Sequence, residues 1–426
     1  MQPTLHIEVL KHLTSKCKVQ DLRVCVSNYL KEKAESLFIG QTLVNFPDNV
    51  TLQDNVKQID ICELDDSALS ELRNEHDVKC KLNNLELFKV EIYIYYLDPN
   101  GVQSEDVDNG SGEPSDTTCS SNHYVLPSEE FHGLWESLVF DNNIKEMLLK
   151  YAETSMKFSH SKVKSNIISW NRVVLLHGPP GTGKTSLCKA VAQKLSIRLQ
   201  SKYKITEFIE INSHSLFSKY FSESGKLVQK MFNKIKEAVE YEESLVCLLI
   251  DEIESLTRAR ESVMSGTEPS DGVRVVNAVL TQIDQLKKYP NVLIFTTSNL
   301  TGAIDLAFLD RADIKQYIGF PSAAAIFNIF SSCVEELKRS GLVMTDMDCD
   351  KQKRRLMNAC QKSTGLSGRT LRKIPFLTFV KYISNNSVSM ENFLIALEKT
   401  VLDLLVEEKS LPLKRNTEVP KSNGIS

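Results

Sequence analysis

Val173-Val174-Leu175-Leu176-His177-Gly178-Pro179-Pro180-Gly181-Thr182-Gly183-Lys184-Thr185 runs from an apolar stretch directly into the pattern G-x-x-x-x-G-K-[ST]. The apolar part reads as a buried strand and the glycines as a loop whose backbone N–H groups can wrap a polyphosphate, since no Cβ blocks their approach. Lys184 would reach the β- and γ-phosphates, the Thr185 hydroxyl would hold Mg²⁺, and the helix that starts there would aim its positive end at the anion. Residues Gly178, Pro179, Pro180, Gly181, Thr182, Gly183, Lys184 and Thr185 are therefore the expected ATP cradle. A Gly/Pro-rich surface turn is the bland alternative, and the apolar helix Leu187 to Leu195 behind the loop argues against it.

The 426 residues give room for roughly two or three domains and a sizeable core. Net charge is −4, so nothing global advertises nucleic acid. The charge is uneven, however: residues 1–97 carry 11 Lys/Arg against 15 Asp/Glu, and residues 98–122 none against 6. Ten cysteines without a C-x-x-C pair, and no leading apolar signal segment, predict reduced thiols in a cytosolic or nuclear protein. No apolar run approaches the roughly 18 residues that a membrane span needs, which predicts a soluble protein without a membrane partner.

Five segments are expected. Residues 1–97 mix alternating stretches, Leu5 to Val9 and Leu87 to Tyr95, with a helical pattern from Asp21 to Leu37, which reads as a small α+β domain. Residues 98–122 are rich in Gly, Ser and Asp and read as an acidic flexible linker, a boundary that few contacts should cross. Residues 123–320 alternate apolar strands with helices, the rhythm of an α/β fold with a parallel sheet covered on both faces. Residues 321–410 turn helical and read as a small helical domain, and 411–426 as a polar tail.

Downstream of the loop, Leu245-Val246-Cys247-Leu248-Leu249-Ile250-Asp251-Glu252 is an apolar strand ending in two carboxylates. After a phosphate loop, the first acid orders Mg²⁺ and the second polarises the attacking water, so Asp251 is the metal-side candidate and Glu252 the catalytic one; a solvated helix cap is the plain alternative. Phe295-Thr296-Thr297-Ser298-Asn299 ends a further strand, and Asn299 is placed to hydrogen-bond the attacking water or the γ-phosphate, or else simply turns the chain. Arg311 follows a short helical stretch in Leu306-Ala307-Phe308-Leu309-Asp310-Arg311. An arginine there can neutralise transition-state charge from a neighbouring subunit, or pair with Asp310 or Asp313.

Together these motifs resemble AAA+ proteins. Ser213-His214-Ser215-Leu216-Phe217-Ser218-Lys219-Tyr220-Phe221 and Arg311-Ala312-Asp313-Ile314-Lys315-Gln316-Tyr317-Ile318-Gly319 resemble in particular the pachytene checkpoint protein 2 / thyroid receptor-interacting protein 13 family, over about Asn122 to Glu408 and more weakly before it. The resemblance implies an AAA+ P-loop parallel sheet with a C-terminal helical lid and an N-terminal α+β domain. It also implies a homo-hexameric ATPase that uses ATP and Mg²⁺ to convert HORMA-domain proteins, delivered by an adaptor, from closed to open conformers, with residues 1–97 as the client- or adaptor-binding domain. The family acts in meiotic synapsis and recombination control and the spindle checkpoint, which implies a nuclear, chromosome-associated and also cytoplasmic protein. Its substrate-gripping loop falls on Lys219, Tyr220 and Phe221, and its second sensor on Arg369 in Gly365-Leu366-Ser367-Gly368-Arg369. The tandem arginine block of many AAA+ proteins is absent, and Leu309-Asp310-Arg311 stands in its place.

Two rival readings differ in class. An ATP-dependent scaffold without turnover would have no need of Glu252 and Asn299. A nucleic-acid motor of the same superfamily would show aromatic and basic residues interleaved, which the acidic N-terminal part lacks; no sequence-specific nucleic-acid contact is expected.

Overall fold

The computed structural model describes residues 2–64, 82, 85–106, 119–164, 166–213, 224–256, 271–299, 304–345 and 348–410. They divide into two units. One draws on Met1–Leu138, Ile144–Gly178 and Lys184–Tyr317, the other on Val139–Asn143, Pro179–Gly183 and the chain from Ile318 onward.

The first unit begins with a four-stranded sheet in the order β2 (Thr42–Leu43), β3 (Val56–Leu64), β1 (Thr4–Lys11), β4 (Lys89–Tyr95). The central strand β1 pairs antiparallel with β3 and parallel with β4, and its residues Leu5 to Leu10 are buried. Over one face lies the helix Val19–Glu32, whose buried Leu22, Val26, Tyr29 and Leu30 recur at the spacing of a helical stripe. They close a core with Ile7, Val9, Phe46, Ile59 and Ile61.

A seven-stranded sheet follows, in the order β11 (Ile314–Tyr317), β7 (Val173–His177), β10 (Val292–Ser298), β9 (Ser244–Asp251), β8 (Ile205–Asn212), β6 (Cys119–Leu126), β5 (Gln103–Asp106). The first five strands run parallel, and β6 and β5 are added antiparallel. Every residue of β10, and all of β9 except Asp251, is buried, which is why these strands read as unbroken apolar runs: helices cover both faces. The parallel strands also end together, so His177, Asp251 and Ser298 fall at one edge of the sheet.

The expectation of a flexible linker over 98–122 is corrected at both ends. Gln103 to Asp106 pairs with Cys119 to His123, and β6 goes on to pair with β8, His123 opposite Ile209. The Asp98 N–H donates to the Pro127 carbonyl at 2.7 Å. Backbone pairing at a sheet edge needs no apolar side chains, so a polar strand leaves little trace in composition. Residues 107–118 lie outside the described set.

Nor is residue 98 a boundary that few contacts cross. The helix Lys184–Arg198 is buried on most of its surface. Near its end, Lys194 and Arg198 are 5% and 6% exposed and face Glu8 of β1, itself 1% exposed. Lys194 Nζ lies 2.7 Å from Glu8 Oε2, and Arg198 reaches Glu8 at 3.5 Å and Glu63 of β3 at 2.6 Å. Leu10, Tyr95, Leu97 and Ile197 form an apolar cluster beside the charges. Burial alone would lower the Lys194 ammonium, but Glu8 and its neighbours outweigh it and hold the pKa well above the usual lysine value. Burial works upward on Glu63, and Arg198 overrides it, leaving that carboxyl below its ordinary 4.5.

The second unit is a bundle of the helices Ala323–Arg339, Cys349–Lys362, Gly368–Tyr382 and Met390–Ser410, with β12 (Val343–Met344) and β13 (Val388–Ser389) forming a short parallel pair. Ser322 and Ser367 cap two of these helices by accepting the N–H of Ala325 and of Thr370. Ile326, Phe330, Leu356, Leu371, Phe393 and Leu397 are among its core residues. Among the described residues no helix is long and apolar enough to cross a membrane.

Lys194→Ala leaves Glu8, in a nearly solvent-free position, with only the longer 3.5 Å contact to Arg198, so unfolding stability falls by about 3 kcal/mol. Glu8→Gln combined with Lys194→Met removes both charges and costs less than Lys194→Ala alone. Urea unfolding followed by tryptophan fluorescence checks this; a single-variant loss below about 1 kcal/mol, the range of an exposed pair, contradicts a buried network. Glu63 adds an acid limb. Its contribution is complete above the unfolded carboxyl pKa and drains away as pH falls through the depressed folded value, so stability should drop on acidification below about pH 4.5.

Candidate ATP-hydrolysis site

The edge where the parallel strands end carries the site. β7 ends at His177, and the chain turns through Gly178 to Gly183 into the helix Lys184–Arg198. Gly181 has φ +76°, and a Cβ there would stand 2.8 Å from Ser367 Oγ, so both backbone conformation and close approach demand glycine. Its carbonyl accepts the Arg369 N–H at 3.0 Å, which ties Pro179–Gly183 to the start of the helix Gly368–Tyr382. Within the loop, Thr182 Oγ1 donates to the Pro179 carbonyl. Lys184 is 5% exposed, and its Nζ donates to the Gly178 carbonyl at 2.9 Å. The Gly178 N–H donates to the Ser298 carbonyl of the neighbouring strand.

Asp251, the last residue of β9, accepts hydrogen bonds from two hydroxyls. Thr185 Oγ1 lies 3.0 and 3.2 Å from its two oxygens, and Thr297 Oγ1 of β10 bonds the same carboxylate. Its backbone carbonyl accepts from Ser213 Oγ at 2.7 Å. Two hard oxygen donors, the Thr185 hydroxyl and the Asp251 carboxylate, thus meet at the end of the phosphate loop, a donor set of the kind Mg²⁺ takes together with nucleotide phosphates.

Glu252 follows with φ +58°, a left-handed conformation uncommon for a residue with a Cβ. The turn is held by hydrogen bonds from the Glu252 N–H to Thr297 Oγ1 and from the Ile253 N–H to the Thr297 carbonyl. It throws the Glu252 side chain toward Asn299, whose Nδ2 lies 3.2 Å from Glu252 Oε1. Backbone strain of this kind concentrates at functional sites, where surrounding bonds fix a side chain that the chain alone would not aim.

The structure therefore brings Lys184, Thr185, Asp251, Glu252 and Asn299 to one end of the sheet. It places Arg311 differently: the guanidinium makes a fork with Asp284, at 3.0 and 2.7 Å, and a third bond to the Ala307 carbonyl. The partner is neither Asp310 nor Asp313. Asp313 instead accepts from Tyr151 and the Asn171 side chain and backbone, a long-range pairing that local spacing does not reveal. Lys219, Tyr220 and Phe221 lie outside the described residues. Sequence reasoning missed two members of the site. Thr297 carries a hydroxyl shared by Asp251 and the Glu252 N–H, and Glu254 bonds Asn299; only the turn at Glu252 brings Glu254 round.

His177, just before the loop, is partly buried, with its Nδ1 unpartnered and its ring 5.5 Å from that of Tyr317. Burial, aided by the Lys184 charge, lowers its pKa and keeps the imidazole neutral at physiological pH.

Comparison with known proteins agrees with this geometry. Residues 174–320 match the ATPase family associated with various cellular activities (AAA), residues 1–100 the TRIP13 N-terminal domain, and residues 346–404 the TRIP13-like AAA+ ATPase lid C-terminal domain. The pachytene checkpoint protein 2 homolog of Rattus norvegicus is 47% identical over 425 residues, covering 96% of this chain and 95% of that protein. The structure of C. elegans PCH-2 superposes with a TM-score of 0.75 at 33% identity, over 95% of this chain and 99% of that one. The structure of the E. coli MS115-1 HORMA:CdnC:Trip13 complex matches at TM-score 0.52 and 17% identity, over 65% and 94%, a likeness of fold. An AAA domain binds and hydrolyses ATP, so the chain is an ATPase. Identity sustained across the amino-terminal domain, the ATPase sheet and the lid makes the chain a member of the TRIP13/pachytene checkpoint protein 2 family of AAA+ ATPases.

Proposed function

We propose that the chain works as a hexameric ring that spends ATP on remodelling HORMA-domain proteins, presented by an adaptor, from closed to open conformers. One observation carries this reading: Lys184, Thr185, Asp251, Glu252 and Asn299 converge at one edge of the sheet in a chain flanked by both TRIP13-type domains. A scaffold that never turned over would not need the strained turn at Glu252. The HORMA client class follows from family membership, and the E. coli complex names a HORMA protein beside a Trip13 protein. Meiotic chromosome-axis control and the spindle checkpoint, with a nuclear and cytoplasmic location, belong to the same proposal.

In this mechanism the phosphate loop and Lys184 hold the β- and γ-phosphates. Thr185 and Asp251 would hold Mg²⁺, which neutralises charge on the phosphate oxygens. Glu252 polarises the attacking water and Asn299 orients it. Arg369 serves as the second sensor, reading the nucleotide from the helix start that Ser367 caps. Arg311 acts on the site of the neighbouring subunit. The Asp284 fork, whose hydrogen bonds raise the Arg311 pKa, keeps that cation pre-ordered until a phosphate replaces the carboxylate. Lys219, Tyr220 and Phe221 grip the threaded client, an aromatic giving sequence-tolerant contact.

A closed HORMA-domain protein together with its adaptor should raise the ATPase rate of the purified protein, and an unchanged rate contradicts the proposal. Lys184→Ala removes the cation from the phosphate loop and should abolish nucleotide binding; calorimetry giving an affinity within about twofold of the parent would sink the assignment. Arg311→Ala should keep nucleotide affinity and lose turnover. Mixed with Glu252→Gln protein it should recover hydrolysis, because one interface then pairs an intact Glu252 with an intact Arg311. If subunits exchange and no mixture exceeds its two parents, Arg311 does not act in trans.

A further inference from the structure

Glu254 is 6% exposed, and among the described residues its carboxylate is taken up by one partner, Asn299. Its Oε2 accepts the Asn299 backbone N–H at 3.2 Å, and its Oε1 accepts Asn299 Nδ2 at 2.9 Å. The same Nδ2 lies 3.2 Å from Glu252 Oε1. An amide can face two carboxylate oxygens only with its NH₂ group, because a carbonyl oxygen there would meet two acceptors and no proton. Glu254 thereby decides which end of the Asn299 amide faces Glu252, and it grips the backbone as well, so neither a side-chain flip nor a shift of the strand end is free.

We infer that Glu254 is a positioning residue for ATP hydrolysis: it locks the Asn299 amide so that Nδ2 meets Glu252 and the carbonyl oxygen is turned away from both carboxylates. This rests on the reading of Glu252 and Asn299 as the pair that handles the attacking water. With Glu254 gone, Glu252 alone holds the Asn299 amide and the Asn299 backbone N–H loses its acceptor, so Nδ2 can drift from Glu252 Oε1 and let that carboxylate leave its line. Glu254 binds no phosphate in this scheme, so its loss slows turnover without weakening ATP binding. An error of about 1 Å in a catalytic group can cost on the order of 10²-fold in rate, and Glu254 controls an alignment of that kind.

The test is a kinetic cycle in the full-length protein. Glu254→Ala should lower kcat about 10- to 100-fold while ATP affinity and melting temperature stay near the parent's. Asn299→Ala should lower kcat as well, and the double variant should be no slower than Asn299→Ala alone, because Glu254 acts only through Asn299. A double variant slower by the product of the two losses overturns the proposal, as does normal turnover of Glu254→Ala in a protein that Asn299→Ala cripples. Normal turnover of Asn299→Ala instead overturns the underlying reading, and Glu254 falls with it. Should Glu254→Ala melt early, Glu254→Asp and Glu254→Gln decide. Aspartate keeps both acceptor oxygens and should retain more kcat, although glutamine is closer in size. The reverse order would mean that Glu254 fills space, and would contradict the inference.

Discussion

Lys194 and Arg198 are cations taken almost wholly out of water, and their pairing with Glu8 and Glu63 determines how the amino-terminal sheet sits on the ATPase sheet. A buried charge is costly unless it is paired and hydrogen-bonded, so β1 and β3 must stand where their carboxylates meet the end of this helix. The other end of the same helix begins at Lys184, inside the phosphate loop. One rigid element, buried on nearly all sides, thus carries the nucleotide lysine at its start and the attachment of the amino-terminal domain at its finish.

The site depends on a second constraint, the common edge of the parallel strands. β7, β9 and β10 are in register, which sets Asp251 beside Thr297, and the helix that follows the phosphate loop brings Thr185 against Asp251. From there on, geometry is made by the backbone. The left-handed turn at Glu252 aims one carboxylate at Asn299 and brings a second, Glu254, against the other side of the same amide. Thr297 holds the turn through both its hydroxyl and its carbonyl. Such an arrangement is pre-organised, and pre-organisation of polar groups is where the largest electrostatic contributions to catalysis arise.

Much of this was legible from residues 173 to 299, because each part announces itself locally. A strand buried on both faces reads as an apolar run, and a phosphate loop reads as glycines with Lys-Thr; β7, β9 and β10 and the residues at their ends follow from that. What escaped is what depends on distant partners. The polar edge strand β5 is held to the start of β6 by backbone pairing, so Gln103 to Asp106 looked like linker. The buried ion network needs residues 8, 63, 194 and 198, which nothing in the sequence marks as neighbours. Arg311 had two acidic residues close by in sequence and chose Asp284 instead, since the helix Asp271–Leu286 packs beside it. Glu254 was hidden because its role exists only after Glu252 adopts a positive φ.

The claim at the centre of the account is that hydrolysis at Asp251, Glu252 and Asn299 drives a conformational change in a HORMA-domain protein. The most direct measurement separates open from closed client by ion-exchange chromatography after incubation with adaptor, ATP and a substoichiometric amount of the full-length protein. The account predicts that open client accumulates over many turnovers, in step with phosphate release, and that none forms with Glu252→Gln protein that still binds ATP. Client that stays closed while ATP is consumed, or that opens equally well with the Glu252→Gln protein, would contradict it.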